Sequence, residues 1–129
     1  MGNLTRNFNR MEFACRCGCG FGAAPGDVNP VLAEHLQAIR DRLGVPLLIA
    51  SGCRCAEHNA SVGGVRSSQH LLGNAADVFC ALSLGALHAA VLDHLREADP
   101  AGEAFGVGVY HAGNFIHFDV RRHGARWED

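Results

Sequence analysis

The sequence lacks lysine entirely, so all 11 of its basic residues are arginine. It also has no excess of positive charge. The formal net charge is -2 and the pI is near 6.4, which argues against a dedicated nucleic-acid-binding protein. No segment approaches the roughly 18 consecutive apolar residues of a membrane span. The first residues contain no charged segment followed by an apolar core, so no secretory signal is visible. We therefore expect either synthesis in the cytoplasm or a chain already trimmed.

What the sequence does contain fits one globular domain over residues 1–129. Hydrophobic residues make up 48% and charged residues 19% of the chain, an ordinary composition for a folded protein. The length is typical of a single domain, and we expect a monomer. Residues 1–28 include a Cys/Gly-rich segment, which we expect to pack on the core as irregular structure. Eight His and six Cys are many for this length.

Two segments have the periodicity and end signals of helices. Leucine and isoleucine recur at helical spacing over 30–43, where Asn29 is a good N-cap and Gly44 can end the helix. The same spacing predicts a helix over 84–97, with Ser83 as N-cap.

Short apolar runs bounded by turn residues predict the strands. They lie at 46–50, 75–79, 106–110 and 115–120, and the last two are expected to form a hairpin. Residues 56–62 could form a short helix. Together these elements predict an α+β fold in which a small antiparallel sheet is flanked by helices.

A histidine and an aspartate in the middle of the chain are candidate metal ligands. His70 precedes Asp77 by seven residues, and Asp77 lies on a predicted strand. Imidazole nitrogen and carboxylate oxygen are ordinary zinc ligands, and a loop followed by a strand could bring them together. Such a spacing is common, however, and taken alone it is explained more simply by a surface loop histidine and a capping aspartate.

The last predicted strand adds a second histidine. Side chains alternate along a strand, so His117 and Asp119 share one face while Ile116 and Phe118 occupy the other. The polar face is either the solvated side of the sheet or a metal site, since buried polar groups need partners. Three protein ligands with a fourth position open are typical of catalytic zinc, which polarises carbonyl groups and activates water for amide hydrolysis.

Several motifs in a fixed order resemble the zinc D-alanyl-D-alanine carboxypeptidase family, which includes D-Ala-D-Ala dipeptidases of vancomycin resistance and phage L-alanoyl-D-glutamate endolysins. The resemblance covers about residues 8–127, and its motifs are Ser51-Gly52-Cys53-Arg54, Asn59 with Gly63-Gly64, Ser68-Gln69-His70 through Asp77, Gly106 through Tyr110, and Phe115 through Arg121. It implies the fold shared by lysostaphin-type endopeptidases and the hedgehog signalling domain.

The resemblance also implies roles for individual residues. It places zinc ligands at His70, Asp77 and His117. It gives Arg54 the role of binding substrate and stabilising the developing oxyanion, which suits a fixed cation. Ser68 matches a motif serine that either hydrogen-bonds substrate or braces the loop of His70, although a simple turn-forming serine would look the same.

One departure from the family pattern concerns the general base. Many members carry Glu or Asp three residues before the last zinc histidine, where this chain has Asn114, which takes no proton at neutral pH. Lysostaphin-like relatives carry a histidine where this chain has Phe115. Asp119 either replaces the missing base or orients His117 as its hydrogen-bond partner. His111 in the turn is a weaker candidate base.

The cysteines allow a second site. Related cell-wall peptidase sequences resemble this one in their early cysteines and in an Arg-Cys pair. This resemblance suggests that the N-terminal segment is pinned to the core by a group comprising Cys15, Cys17, Cys19 and Cys55. A structural zinc ion, disulfides and free thiols are the three alternatives.

The leading hypothesis is therefore a zinc peptidase that cuts a peptide bond in bacterial peptidoglycan, in a stem peptide or cross-link. It would act as a carboxypeptidase or an endopeptidase, with a lean toward a phage or prophage endolysin that reaches the cell wall after release. The alternative is a non-catalytic, zinc-stabilised cell-wall-binding module of the same fold, which the absence of an acid at Asn114 would favour.

Overall fold

The computed structural model describes residues 2–129 and has an α+β architecture of three helices and a five-stranded sheet. The helices are α1 (Pro30–Leu43), α2 (Ala56–Ser61) and α3 (Leu84–Ala98). The strands are β1 (Leu48–Ser51), β2 (Ala75–Phe79), β3 (Gly106–Tyr110), β4 (Phe115–Asp119) and β5 (Ala125–Glu128). Short 3-10 helices occur at Arg10–Phe13 and Gln69–Leu72, the second within a segment predicted as a loop.

The sheet is mixed, with strand order β1-β2-β4-β3-β5. Every neighbouring pair is antiparallel except β3 and β5, which run parallel. The predicted α+β class and the β3–β4 hairpin are confirmed, whereas a purely antiparallel sheet is not. Strand β5 was not predicted because the alternation of apolar and polar residues in Ala-Arg-Trp-Glu covers only four positions, which is a weak strand signal.

Local signals account for the two long helices. The Asn29 side chain accepts a hydrogen bond from the Val31 N–H at 2.9 Å, and Gly44 ends α1 with φ of 73°. The Ser83 side chain caps α3 by accepting from the Ala86 N–H at 3.1 Å. Among residues 2–129, no helix combines the length and apolar character needed to cross a membrane.

One cluster of buried apolar side chains joins α1 and α3 to one face of the sheet. It includes Leu36 of α1, Val91 of α3, and Ile116 and Phe118 of β4. Phe8 and Phe13 are also fully buried in it. The beginning of the N-terminal segment is therefore held by packing of these two rings in the core.

The opposite face of the sheet carries the polar side chains of β2 and β4. Asp77 and His117 are register partners on this face, and Asp119 follows on β4. Gly106 and Gly108 lie beside them on β3, where a Cβ would collide with the Asp119 carboxylate and the Trp127 ring respectively. Glycine at these two positions lets side chains of neighbouring strands cover the sheet.

Candidate metal centre

Three side chains converge on the polar face of the sheet. Asp77 Oδ1 lies 3.2 Å from His70 Nε2 and 3.1 Å from His117 Nδ1. The three ligand atoms all lie within 4.8 Å of one another, and all three residues are buried. His70 comes from the 3-10 helix, while the pairing of β2 with β4 brings Asp77 opposite His117. These three residues could hold a metal ion.

Each of the three side chains is oriented by a further partner. His70 Nδ1 donates to the Gly52 carbonyl at 2.6 Å, which leaves Nε2 with its lone pair free for a metal. His117 Nε2 lies 2.7 Å from Asp119 Oδ2. Asp77 Oδ2 accepts from Arg54 Nη2 at 3.0 Å. Two imidazole nitrogens and a carboxylate, each side chain oriented by a second hydrogen-bond partner, match the donor set and supporting contacts of zinc sites.

The electrostatics favour an ionised Asp77 in the absence of metal. Burial by itself would raise the pKa of Asp77, but its contacts with the His117 and His70 imidazoles outweigh burial and lower the pKa to about 2. Burial lowers the pKa of His117, whereas its contacts with Asp119 and Asp77 raise it by more, so the net shift is upward. The carboxylate is therefore ready to bind a cation, and a metal would have to displace a proton from His117 at lower pH.

Arg54 lies at the edge of this centre and is held from three directions. Besides Asp77, its guanidinium group donates to Ser51 Oγ at 3.0 Å and to Asn59 Oδ1 at 3.2 Å. The Arg54 side chain is only 13% exposed, yet the residue lines the cleft above the centre. Gly64 packs against Asn59 so closely that a Cβ there would collide with the amide oxygen. Asn59 and Gly64 belonged to the sequence motif, but their support of Arg54 was not anticipated.

Asp119 is fully buried and lies behind His117. Its carboxylate bonds to His117 Nε2 and also accepts from Arg121 Nη2 at 2.6 Å and Arg121 Nε at 2.8 Å. Burial would raise the pKa of Asp119, but the bonds from Arg121 and His117 hold it well below its usual range. Asp119 does not line the cleft, whereas Arg121 does.

Three other residues singled out in the sequence, Asn114, His111 and Ser68, do not belong to the group of three ligands, although Ser68 lines the cleft. Asn114 occupies the β3–β4 turn with φ of 56°, and His111 in the same turn pairs with Glu128 at 2.7 Å. Ser68 is buried, and its Oγ accepts from the His70 N–H at 3.2 Å, so this contact braces the His70 segment.

A cleft of about 650 Å³ opens over the three converging side chains. Part of its lining is aromatic: Tyr110 stacks on Phe115 with ring centroids 4.6 Å apart, and Trp127 Nε1 donates to the Tyr110 hydroxyl at 3.0 Å. The Arg121 guanidinium lies 5.3 Å from the centre of the Trp127 ring. The segment before Ser68 adds Val65, which is 69% exposed. Apolar surfaces and two cations therefore border the candidate metal centre.

The early cysteines form a second cluster away from the cleft. The sulfur atoms lie within 4.8 Å of one another in a group of four: Cys15, Cys17, Cys19 and Cys55. None of these four cysteines forms a disulfide.

A comparison with protein-family models matches residues 6–119 to the model described as "Peptidase M15". The chain belongs to the peptidase M15 family. Membership supports peptidase activity, and the family is zinc-dependent. The matched residues include all three side chains of the metal centre, Arg54 and the cysteine cluster. No curated protein matches the chain.

Proposed function

We propose that the chain hydrolyses a peptide bond in bacterial peptidoglycan with one catalytic zinc ion held by His70, Asp77 and His117. The observation that carries this proposal is the convergence of their three ligand atoms at the floor of an open cleft, beside the cation of Arg54. A closed structural site would need a fourth protein ligand, whereas the group of ligand residues here has three members and all three line the cleft. Family membership supports the peptidase class independently.

The residues of the cleft have different roles in the proposed reaction. When bound, zinc supplies a Lewis acid that polarises a peptide carbonyl and lowers the pKa of water. His70, Asp77 and His117 hold it, each oriented by its own hydrogen-bond partner. Arg54 stabilises the negative charge that develops on the carbonyl oxygen, because its guanidinium is held rigidly and reaches the cleft.

We assign Asp119 to positioning His117 rather than to proton transfer with substrate. Its carboxylate is fully buried and already bonded to His117 and Arg121. A carboxylate behind a ligating histidine fixes the ring orientation and makes the imidazole a better ligand. A general base must come within hydrogen-bond reach of the reacting water, directly or through one further water, and Asp119 is separated from the cleft by His117.

A peptidoglycan stem peptide or cross-link suits the cleft. Two guanidinium groups, those of Arg54 and Arg121, line it and would attract substrate carboxylates. The β3–β4 turn beside the aromatic wall has only the four residues 111–114. A turn this short closes off little of the cleft, which favours an endopeptidase over an enzyme that accepts only chain ends.

Digestion of purified peptidoglycan tests the proposal. Zinc-loaded protein should release muropeptides whose masses identify the bond cut, a chelator should abolish release, and added zinc should restore it. His70→Asn should be inactive, whereas His123→Asn, which changes an exposed histidine, should match the wild type. Absence of any product from the zinc-loaded wild type would refute the enzymatic function.

A non-catalytic binding module is the second candidate. Within residues 2–129, Asp77 is the one carboxylate that lines the cleft, and the position of the acid found in many relatives is Asn114. If this reading holds, the protein should sediment with peptidoglycan without releasing product, and a chelator should lower its thermal stability more than its binding. Zinc-dependent product release would eliminate it.

A further inference from the structure

The cysteine cluster has the spacing of a metal–thiolate centre. The Cys15 and Cys17 sulfur atoms lie 3.5 Å apart, Cys17 and Cys55 3.6 Å, and Cys15 and Cys55 3.9 Å. Cys19 Sγ completes the group within the same 4.8 Å limit. Four sulfurs placed tetrahedrally at about 2.3 Å from a zinc ion would lie about 3.8 Å from each other. A disulfide requires sulfurs about 2.05 Å apart, so these distances fit a shared ion instead.

We propose that Cys15, Cys17, Cys19 and Cys55 bind a second, structural zinc ion as thiolates. Binding exchanges four thiol protons, which pass to the buffer, for four sulfur–zinc bonds. A site with four protein ligands has no open position, so it contributes stability rather than chemistry. The proposal does not depend on the peptidase function, because none of these sulfurs lines the cleft.

The backbone around the sulfurs is arranged to support negative charge. The Cys55 N–H donates to Cys15 Sγ at 3.4 Å, and the His58 N–H at the start of α2 donates to Cys55 Sγ at 3.4 Å. Backbone donors directed at sulfur are typical of thiolates that bind metal. Gly18 and Gly20 have φ of 84° and 92°, a left-handed conformation that lets the short Cys-x-Cys-x-Cys segment turn its side chains toward one point.

The proposed ion would connect the N-terminal segment to the catalytic side of the fold. Cys15 and Cys55 are 40 residues apart, and Cys55 directly follows Arg54. The same two segments also meet where the Cys53 N–H donates to the Phe13 carbonyl at 2.8 Å. At Gly52, whose carbonyl accepts from His70, a Cβ would lie only 2.7 Å from the Phe13 Cα.

These contacts make two parts of the candidate active site depend on the N-terminal segment. They are the Gly52 carbonyl that orients His70 and the guanidinium of Arg54. Cys17 and Cys19 are exposed, so little apolar packing holds them in place. An ion that ties them to Cys55 therefore keeps the segment docked, and its loss would loosen both parts together.

Metal analysis of the protein purified under reducing conditions tests the proposal. Wild type should contain two zinc ions per chain, His70→Asn one, and Cys17→Ser one. Cys80→Ala changes a buried cysteine outside the group and should retain both. Cobalt-substituted wild type and His70→Asn should both show the sulfur-to-cobalt charge-transfer band of a thiolate site, while Cys17→Ser should lose most of it.

Measurements on the wild type alone keep the test decisive if a cysteine variant fails to fold. With zinc bound, the four clustered thiols should react slowly with a thiol reagent, and a mercurial that displaces the ion should release one equivalent of zinc. A wild type that holds one zinc ion, lost in His70→Asn, while all four thiols react freely would overturn the proposal. A disulfide among these cysteines in the freshly purified protein, detected by mass spectrometry, would overturn it as well.

Discussion

Replacing Asp119 with asparagine separates the two roles that the sequence left open for this residue. Asparagine has nearly the same shape but removes the charge that faces His117 Nε2 and the Arg121 guanidinium. Removing one partner of a buried ion pair costs about 3–5 kcal/mol. The Arg121 side chain is 29% exposed and can regain some water, so we expect a loss of about 2–3 kcal/mol in the free energy of unfolding.

Two measurements give this prediction its magnitudes. The melting temperature should fall by about 8–12 °C, taking about 4 °C per kcal/mol for a chain of this size. The affinity of the His70 centre for zinc, measured by competition with a chromophoric chelator, should weaken by about 10–100-fold because His117 loses its orienting partner. Asp41→Asn is the control: it removes a carboxylate that is paired with Arg6 on the surface, and both quantities should hardly change.

Hydrolysis at saturating zinc distinguishes positioning from general-base catalysis. If Asp119 only orients His117, filling the site should restore kcat/KM to within about tenfold, and the acidic limb of its pH profile should stay in place. Loss of a general base would lower kcat/KM by about 10²–10⁴-fold even with zinc bound, and it would remove the acidic limb of the pH profile. Wild-type zinc affinity and stability in Asp119→Asn would refute the reasoning from the structure.

Three further perturbations probe Arg54, the residues that support it, and a histidine pair between α1 and α3. Arg54→Gln should retain zinc but lower kcat/KM by about 10²–10³-fold, since it removes the cation expected to face the oxyanion. Arg122→Gln, which changes a surface arginine, should leave kcat/KM unchanged. Equal losses of kcat/KM in the two variants would contradict the role assigned to Arg54. Gly64→Ala should lower kcat/KM by about 10–100-fold with zinc content unchanged, because its Cβ displaces the amide that holds the guanidinium. In contrast, Gly85→Ala in α3, which meets nothing nearer than 4.0 Å, should be neutral or stabilising. Burial lowers the pKa of His94 and that of His35, whose ring His94 contacts. The unfolded chain therefore binds more protons than the folded one, and the free energy of unfolding should decrease as the pH drops below about 6.5. Chemical denaturation at several pH values should show a shallower fall for His94→Gln, and an identical slope would argue against this origin.

Features with short-range causes could be predicted from the sequence. The N-cap contact of Asn29 and the left-handed Gly44 depend on a few neighbouring residues, and both bounds of α1 agree with the prediction. Alternation along β4 likewise placed His117 and Asp119 on one face, because the period of a strand is a local property. Resemblance to known motifs then supplied the family, which the family match confirms.

Features that depend on how distant segments meet could not be predicted in this way. Asp119 and Arg121 are near neighbours in sequence, but only the packing of β4 shows that the carboxylate is fully buried behind His117. Strand β5 pairs with the parallel edge that β3 offers, and its own four residues alternate apolar and polar side chains over too short a run to predict a strand.

The approach of the Gly52 carbonyl to His70 shows the same limit. The grouping of Cys15 with Cys55 across 40 residues was suggested by the family resemblance and not by any local pattern. The sequence determined which side chains are available and which way each faces along its own helix or strand. Only the tertiary structure determined which of them meet, because the register and docking of separate elements result from the packing of the whole core.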